Sequence, residues 1–202
     1  MKAFLAPIAL AAALIAPAHA AVMHTSPTDF LPRVANGAYT ETFDSVVSDV
    51  PGELAYSNGW YGYTVSSPNG LYSDGRFLGV FTSTDPLVIT FTGAAVTALG
   101  ANFFNTQDRG DFVRTAISIA LSDGTTTTLT PESIEDGYRG FLSDVAISSI
   151  TLSTTALTSW VGLDNLTVGA SVAQVPEPAS VALMGIGMLG LAGLSMRRRR
   201  RA

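Results

Sequence analysis

The chain has 202 residues, of which 47% are hydrophobic and only 13% charged, and it contains no cysteine. That length and apolar content supply one well-buried domain, while the missing cysteines exclude disulfide stapling and thiol chemistry. From Ala21 to Val175 fifteen acidic residues stand against five arginines, a formal charge of −10, so there is no basic stripe for a nucleic-acid partner.

The N-terminus, MKAFLAPIALAAALIAPAHA, sets Lys2 before an apolar run and ends in Ala18-His19-Ala20, a small-x-small cleavage site. It reads as a secretory signal peptide over residues 1–20, interrupted by Pro7 and Pro17. The same reading makes residues 21–37 a mobile leader ahead of the folded domain.

The middle of the chain alternates with period two. PLVITFT sets Leu87, Ile89 and Phe91 on one face, and RTAISIALSDG sets Ile117, Ile119 and Leu121 on one face before a turn at Asp123-Gly124. TTTTLT is the natural hairpin partner, and ISSITLSTTAL and WVGLDNLTVG continue the pattern. No stretch carries a helical repeat of ten residues or more. The prediction is an all-β, jelly-roll-like β-sandwich over residues 38–169, with eight to ten strands between Tyr39 and Val168. Pro51 to Gly75 is dense in turn residues and predicts loops around a single short strand at Tyr61 to Val65. At Asp164-Asn165 the apolar phase flips from Val161 and Leu163 to Leu166 and Val168, which predicts a bulge.

Residues 170–178 read as a linker. Ala179 to Met196 follow, 18 residues without a charge, about the minimum for a membrane-spanning helix, and Arg197, Arg198, Arg199, Arg200 and Arg201 place the C-terminus on the cytoplasmic side. Val175-Pro176-Glu177-Pro178, a glycine-rich apolar helix and a terminal arginine cluster together resemble the PEP-CTERM sorting signal of bacterial exosortase substrates. The resemblance implies a Gram-negative source, export by the Sec machinery, an inner-membrane-anchored intermediate, recognition by an exosortase, and release to the cell surface, often beside extracellular polysaccharide and biofilm. YTETFDS, PLVITFTGAAVTALGANF, LSDGTTTTL and GLDNLTVG are similar to the β-sandwich ectodomains that precede such tails. Most of those domains have no assigned activity, and some jelly-roll relatives bind carbohydrate.

Two constellations are candidate sites. Trp60, Tyr61, Tyr63 and Tyr72 could stack on sugar faces, with ordinary half-buried strand aromatics as the plainer reading. Glu41 and Asp44 on the first strand and Asp164 on the last could share a calcium ion, the alternative being turn or solvent-facing carboxylates. With no cysteine, and with His24 the sole histidine and no lysine after residue 20, nucleophile–base pairs are absent. The chain therefore reads as a structural or carbohydrate-interacting matrix protein and not as an enzyme. A glycan-active enzyme using paired carboxylates and a permanently membrane-anchored envelope protein are the alternatives. Arg109-Gly110-Asp111 reads as a turn between strands.

Overall fold

The computed structural model describes residues 20–172. The expected signal peptide, the spanning segment 179–196, the motif Val175 to Pro178 and the arginine run lie outside the described residues.

The described chain is all-β: two antiparallel sheets with one short helix. In chain order the strands are β1 (Val22–His24), β2 (Tyr39–Glu41), β3 (Glu53–Asn58), β4 (Tyr61–Ser66), β5 (Leu71–Ser73), β6 (Leu78–Val80) and β7 (Leu87–Gly93). They continue as β8 (Val96–Thr106), β9 (Phe112–Val113), β10 (Ile117–Leu121), β11 (Thr126–Leu129), β12 (Tyr138–Ile147), β13 (Ser149–Ser153) and β14 (Trp160–Gly169). One sheet runs β1-β12-β8-β14-β6-β5, with β2 added on β14 and β9 on β8; the other runs β11-β10-β13-β7-β4-β3. From β6 onward the chain passes repeatedly from one sheet to the other. Its long strands therefore face each other across a single core that holds Tyr63, Leu87, Ile89, Ile117, Ile119 and Ile150 from one sheet and Leu99, Phe103, Phe141, Val161, Leu163 and Val168 from the other. Every one of these side chains is removed from water, which is the main driving force for closing the sandwich.

The period-two stretches form strands as the sequence predicts. Leu87 and Ile89 of β7, and Ile117 and Ile119 of β10, point into the core, and β10 turns into β11 at Gly124, whose φ is +93°. The bulge at Asp164 is present as well. The β14–β8 register shifts between Asp164 and Thr167, Asn165 takes φ +54°, and Leu166 and Val168 thereby return to the core.

Four expectations are corrected. Residues 21–37 are not a leader: β1 pairs with β12 through Met23↔Phe141 and His24↔Gly140, so His24 is a strand residue. Ser26 then accepts a hydrogen bond from the Thr28 amide and caps a short helix α1, Pro27–Phe30, whose last ring is fully buried. Pro51 to Gly75 holds three strands instead of one, because Gly59 at φ +61° turns β3 back onto β4 with Asn58↔Tyr61 as the closing pair, and Leu71–Ser73 forms β5. Short strands of this kind raise the number from Tyr39 onward above the eight to ten expected. The domain also continues past residue 169, since Val34 bridges Ser171 and the Ala35 amide donates to the Ala170 carbonyl at 2.8 Å.

Candidate functional site

The four aromatic residues singled out from the sequence do not form one surface. Tyr61 and Tyr63 belong to the core, and Tyr63 is 1% exposed. Its ring stacks between Tyr56 at 5.1 Å and Tyr39 at 6.3 Å. Burial, then the nearby Tyr39 and Glu41, push its phenol well above the usual tyrosine range, while burial and Glu41 push Tyr56 up to about 12. Trp60, at the tip of the β3–β4 hairpin, is 81% exposed and stands apart from them. Tyr72 leaves by the other sheet, on the outer face of β5.

Glu41, Asp44 and Asp164 do not gather as a metal-holding group, and no cluster of three such side chains exists among the described residues. Each carboxylate accepts from a donor within two residues of itself in the chain. Glu41 Oε1 accepts from the Phe43 amide at 3.1 Å and so supports Phe43 at φ +58°, a conformation that a phenylalanine holds only when fixed by its surroundings. Asp44 Oδ2 accepts from Thr42 Oγ1 at 2.8 Å. Asp164 accepts from the Asn165 amide at 2.7 Å and from Asn165 Nδ2 at 2.8 Å. Burial raises the Asp164 carboxyl to about 6; the Asn165 amide opposes the rise, and the nearby Asp44 adds to it.

The concave site lies elsewhere, on the outer face of the β1-β12-β8-β14-β6-β5 sheet. It is a cleft of about 290 Å³ lined by Tyr72, Phe77, Phe81 and Trp160 together with Asp49, Gln107 and Asp108. Its geometry follows from strand phase. On β14 Val161 and Leu163 point inward, which turns Trp160 and Gly162 outward; on β6 Leu78 and Val80 point inward, which turns Gly79 outward. Gly79 and Gly162 are paired across β6 and β14, and their missing side chains leave a shallow slot. Phe77 fills its floor, for a Cβ at Gly162 would stand 3.2 Å from the ring and one at Gly79 would stand 3.3 Å away. Phe104 meets Phe77 edge-on at 5.3 Å, and Tyr72 lies against it at 5.7 Å.

The walls are held from several sides. Trp160 Nε1 donates to the Phe81 carbonyl at 3.2 Å, which fixes the indole plane, while the Phe81 ring is 54% exposed. The β8–β9 turn closes the rim: the Gln107 amide donates to the Asp111 carbonyl, and Gly110, at φ +81°, passes close to the Tyr72 hydroxyl. Arg109-Gly110-Asp111 is thus the turn that the sequence suggests. Arg76, above the Phe77 ring, is ion-paired with Asp74. Chemically the cleft offers flat apolar faces beside amide and carboxylate oxygens, which suits a ligand with one hydrophobic and one hydrogen-bonding side. Sequence reading missed Phe77, Phe81 and Trp160. The available signal was the glycines at outward positions of the two strands, Gly79 and Gly162.

Residues 174–200 match the PEP-CTERM protein-sorting motif. No curated protein and no solved structure matches the chain. The tail expected from Val175-Pro176-Glu177-Pro178 and its arginine run is therefore present, and it marks the protein as one secreted to the cell envelope or surface. The chain carries a PEP-CTERM sorting motif at its C-terminus, and an exosortase is its processing partner.

Proposed function

We propose that this is a matrix or biofilm-associated surface protein of a Gram-negative cell whose β-sandwich binds extracellular polysaccharide in the Tyr72–Trp160 cleft. The signal peptide at residues 1–20 and the apolar segment 179–196 support a path through the Sec machinery and an inner-membrane intermediate. The strand order supports the jelly-roll reading, with β6-β14-β8-β12 packed on β7-β13-β10-β11. The single observation that carries the sugar reading is the cleft itself, in which Trp160, Tyr72, Phe77 and Phe81 face the same space as Asp49, Gln107 and Asp108. Rings of this kind stack on pyranose faces while the polar groups meet hydroxyls.

The protein binds without turnover in this reading, since the exported chain has no cysteine, no lysine and only His24, which is tied into β1. Asp49 and Asp108, both lining the cleft, favour the glycan-active enzyme as the second reading. One experiment addresses both. Oligosaccharide binding to residues 21–172 is measured by calorimetry alongside release of reducing ends. Trp160→Ala and Phe81→Ala should each weaken binding by about 1–3 kcal/mol. Binding unchanged in both variants would remove the cleft from consideration, and reducing ends that disappear in Asp49→Asn would move the protein to the second reading.

A further inference from the structure

Resting on the sugar reading of the cleft, we infer that its ligand is a cationic, amino-sugar polymer carrying free ammonium groups.

The first argument is local. Asp49 and Asp108 line the cleft and have no hydrogen-bond or ion-pair partner among the described residues. The one arginine at the rings, Arg76, is committed to Asp74 and lies near Asp111 as well, so its charge is already compensated. Asp111 also accepts from Gln107 Nε2 at 3.3 Å. Arg109 sits next to Asp108 in the turn but does not line the cleft. The lining thus presents two uncommitted carboxylates and no cation, together with the rings of Tyr72, Phe81 and Trp160 above the buried Phe77. An ammonium on a pyranose ring satisfies both halves: the carboxylates take its charge and N–H groups, and the rings take the C–H face and add cation–π attraction.

The second argument is global. With fifteen acidic residues against five arginines between Ala21 and Val175, the domain repels any anionic polysaccharide at long range and attracts a cationic one. A neutral glucan gains nothing from this field. The local and global charges select the same ligand class by independent routes.

The test compares four probes on residues 21–172 by calorimetry at slightly acid pH: a β-1,4-glucosamine hexamer, its fully N-acetylated form, cellohexaose and an oligogalacturonate. The glucosamine hexamer should bind at least about tenfold more tightly than the N-acetylated one, and the anionic probe should not bind. Asp49→Asn with Asp108→Asn should bring the ratio of the two affinities, free hexamer over N-acetylated hexamer, down to about one. Both residues are exposed, so their replacement spares the fold. Asp29→Asn with Asp144→Asn, the same charge change away from the cleft, is the control. A control that lowers glucosamine binding as much as the cleft pair would overturn the inference in favour of general charge attraction. Equal affinity for the acetylated and free hexamers, lost in Phe81→Ala, would overturn it while keeping the sugar reading. Absence of binding by every probe would defeat both.

Discussion

Val34 and Ser171 form an isolated antiparallel bridge that ties the two ends of the domain together. Around it the Ala35 amide donates to the Ala170 carbonyl at 2.8 Å and the Ser171 amide to Thr97 Oγ1 at 2.8 Å. The chain segments that sequence reading places outside the domain, 21–37 and 170–171, are therefore each other's partners. Residues 21–172 and residues 38–169, compared by urea denaturation, should differ by several kcal/mol, because the shorter chain loses β1, the bridge and the buried Phe30 ring. Equal midpoints for the two would show that the ends are ornament.

Phe30 gives that segment its grip. Its ring lies over Gly100 and Gly140, which pair across β8 and β12; a Cβ at Gly140 would stand 2.5 Å from the ring and one at Gly100 would stand 2.8 Å away. Phe30→Ala should destabilise the domain by about 3–5 kcal/mol. Gly140→Ala alone should also be severe, since the strand backbone cannot yield. In the Phe30→Ala background the same Gly140→Ala change should cost clearly less, because the ring is gone, though not nothing, since the Cβ that alanine keeps at position 30 would still stand 2.9 Å from the new one. Additive losses in this double-mutant cycle would mean that the glycine serves some purpose other than seating Phe30.

Local alternation made the long strands legible. Leu87 and Ile89, or Ile117 and Ile119, announce their inward face without reference to anything distant, and the phase flip at Asp164-Asn165 announces the bulge. Phe30 carried no such signal, since a lone ring near a terminus shows its partner glycines only after β8 and β12 have paired. The cleft was hidden for the same reason. Tyr72 and Phe77 share the β5–β6 hairpin, but Trp160 is far away in the chain, and only the pairing of β6 with β14 brings it to them. Tyr61 and Tyr63 misled because a strand of the β4 kind, buried on both faces at its start, has no solvent side to mark.

The tyrosine stack offers a stability test. Among the described residues the hydroxyls of Tyr39, Tyr56 and Tyr63 are buried without a well-formed hydrogen bond, those of Tyr39 and Tyr63 standing near each other, and Tyr63 is the most enclosed of the three. Tyr63→Phe keeps the ring and its stacking while removing an unsatisfied polar atom, so it should raise stability by about 1 kcal/mol. Trp60→Ala, at an exposed hairpin tip, should change stability by no more than about 0.5 kcal/mol and leave oligosaccharide binding intact. A destabilised Tyr63→Phe would reveal an ordered water holding that hydroxyl in place. Lost sugar binding in Trp60→Ala would restore the hairpin tip as a binding surface.

Asp164 fixes the pH dependence. Folding raises its carboxyl from 3.8 to about 6, chiefly by burial, so the folded state favours the protonated form. Its contribution to stability is therefore fully present below pH 3.8 and is lost as pH rises through 6. Asp164→Asn removes the ionisation and keeps the shape. The variant should melt higher than wild type at pH 7.5 by the equivalent of about 1 kcal/mol, a figure reduced to allow for solvent screening of a half-buried group, and the gap should close toward pH 4. Because Glu41, Asp44 and Asp164 do not converge, adding calcium or a chelator should leave the wild-type melting temperature unmoved at either pH. A wild-type protein that calcium stabilises, with the effect lost in Asp164→Asn, would reinstate the metal site. A variant that melts lower than wild type at pH 7.5 would show that the hydrogen bond from the Asn165 amide outweighs the burial of the charge.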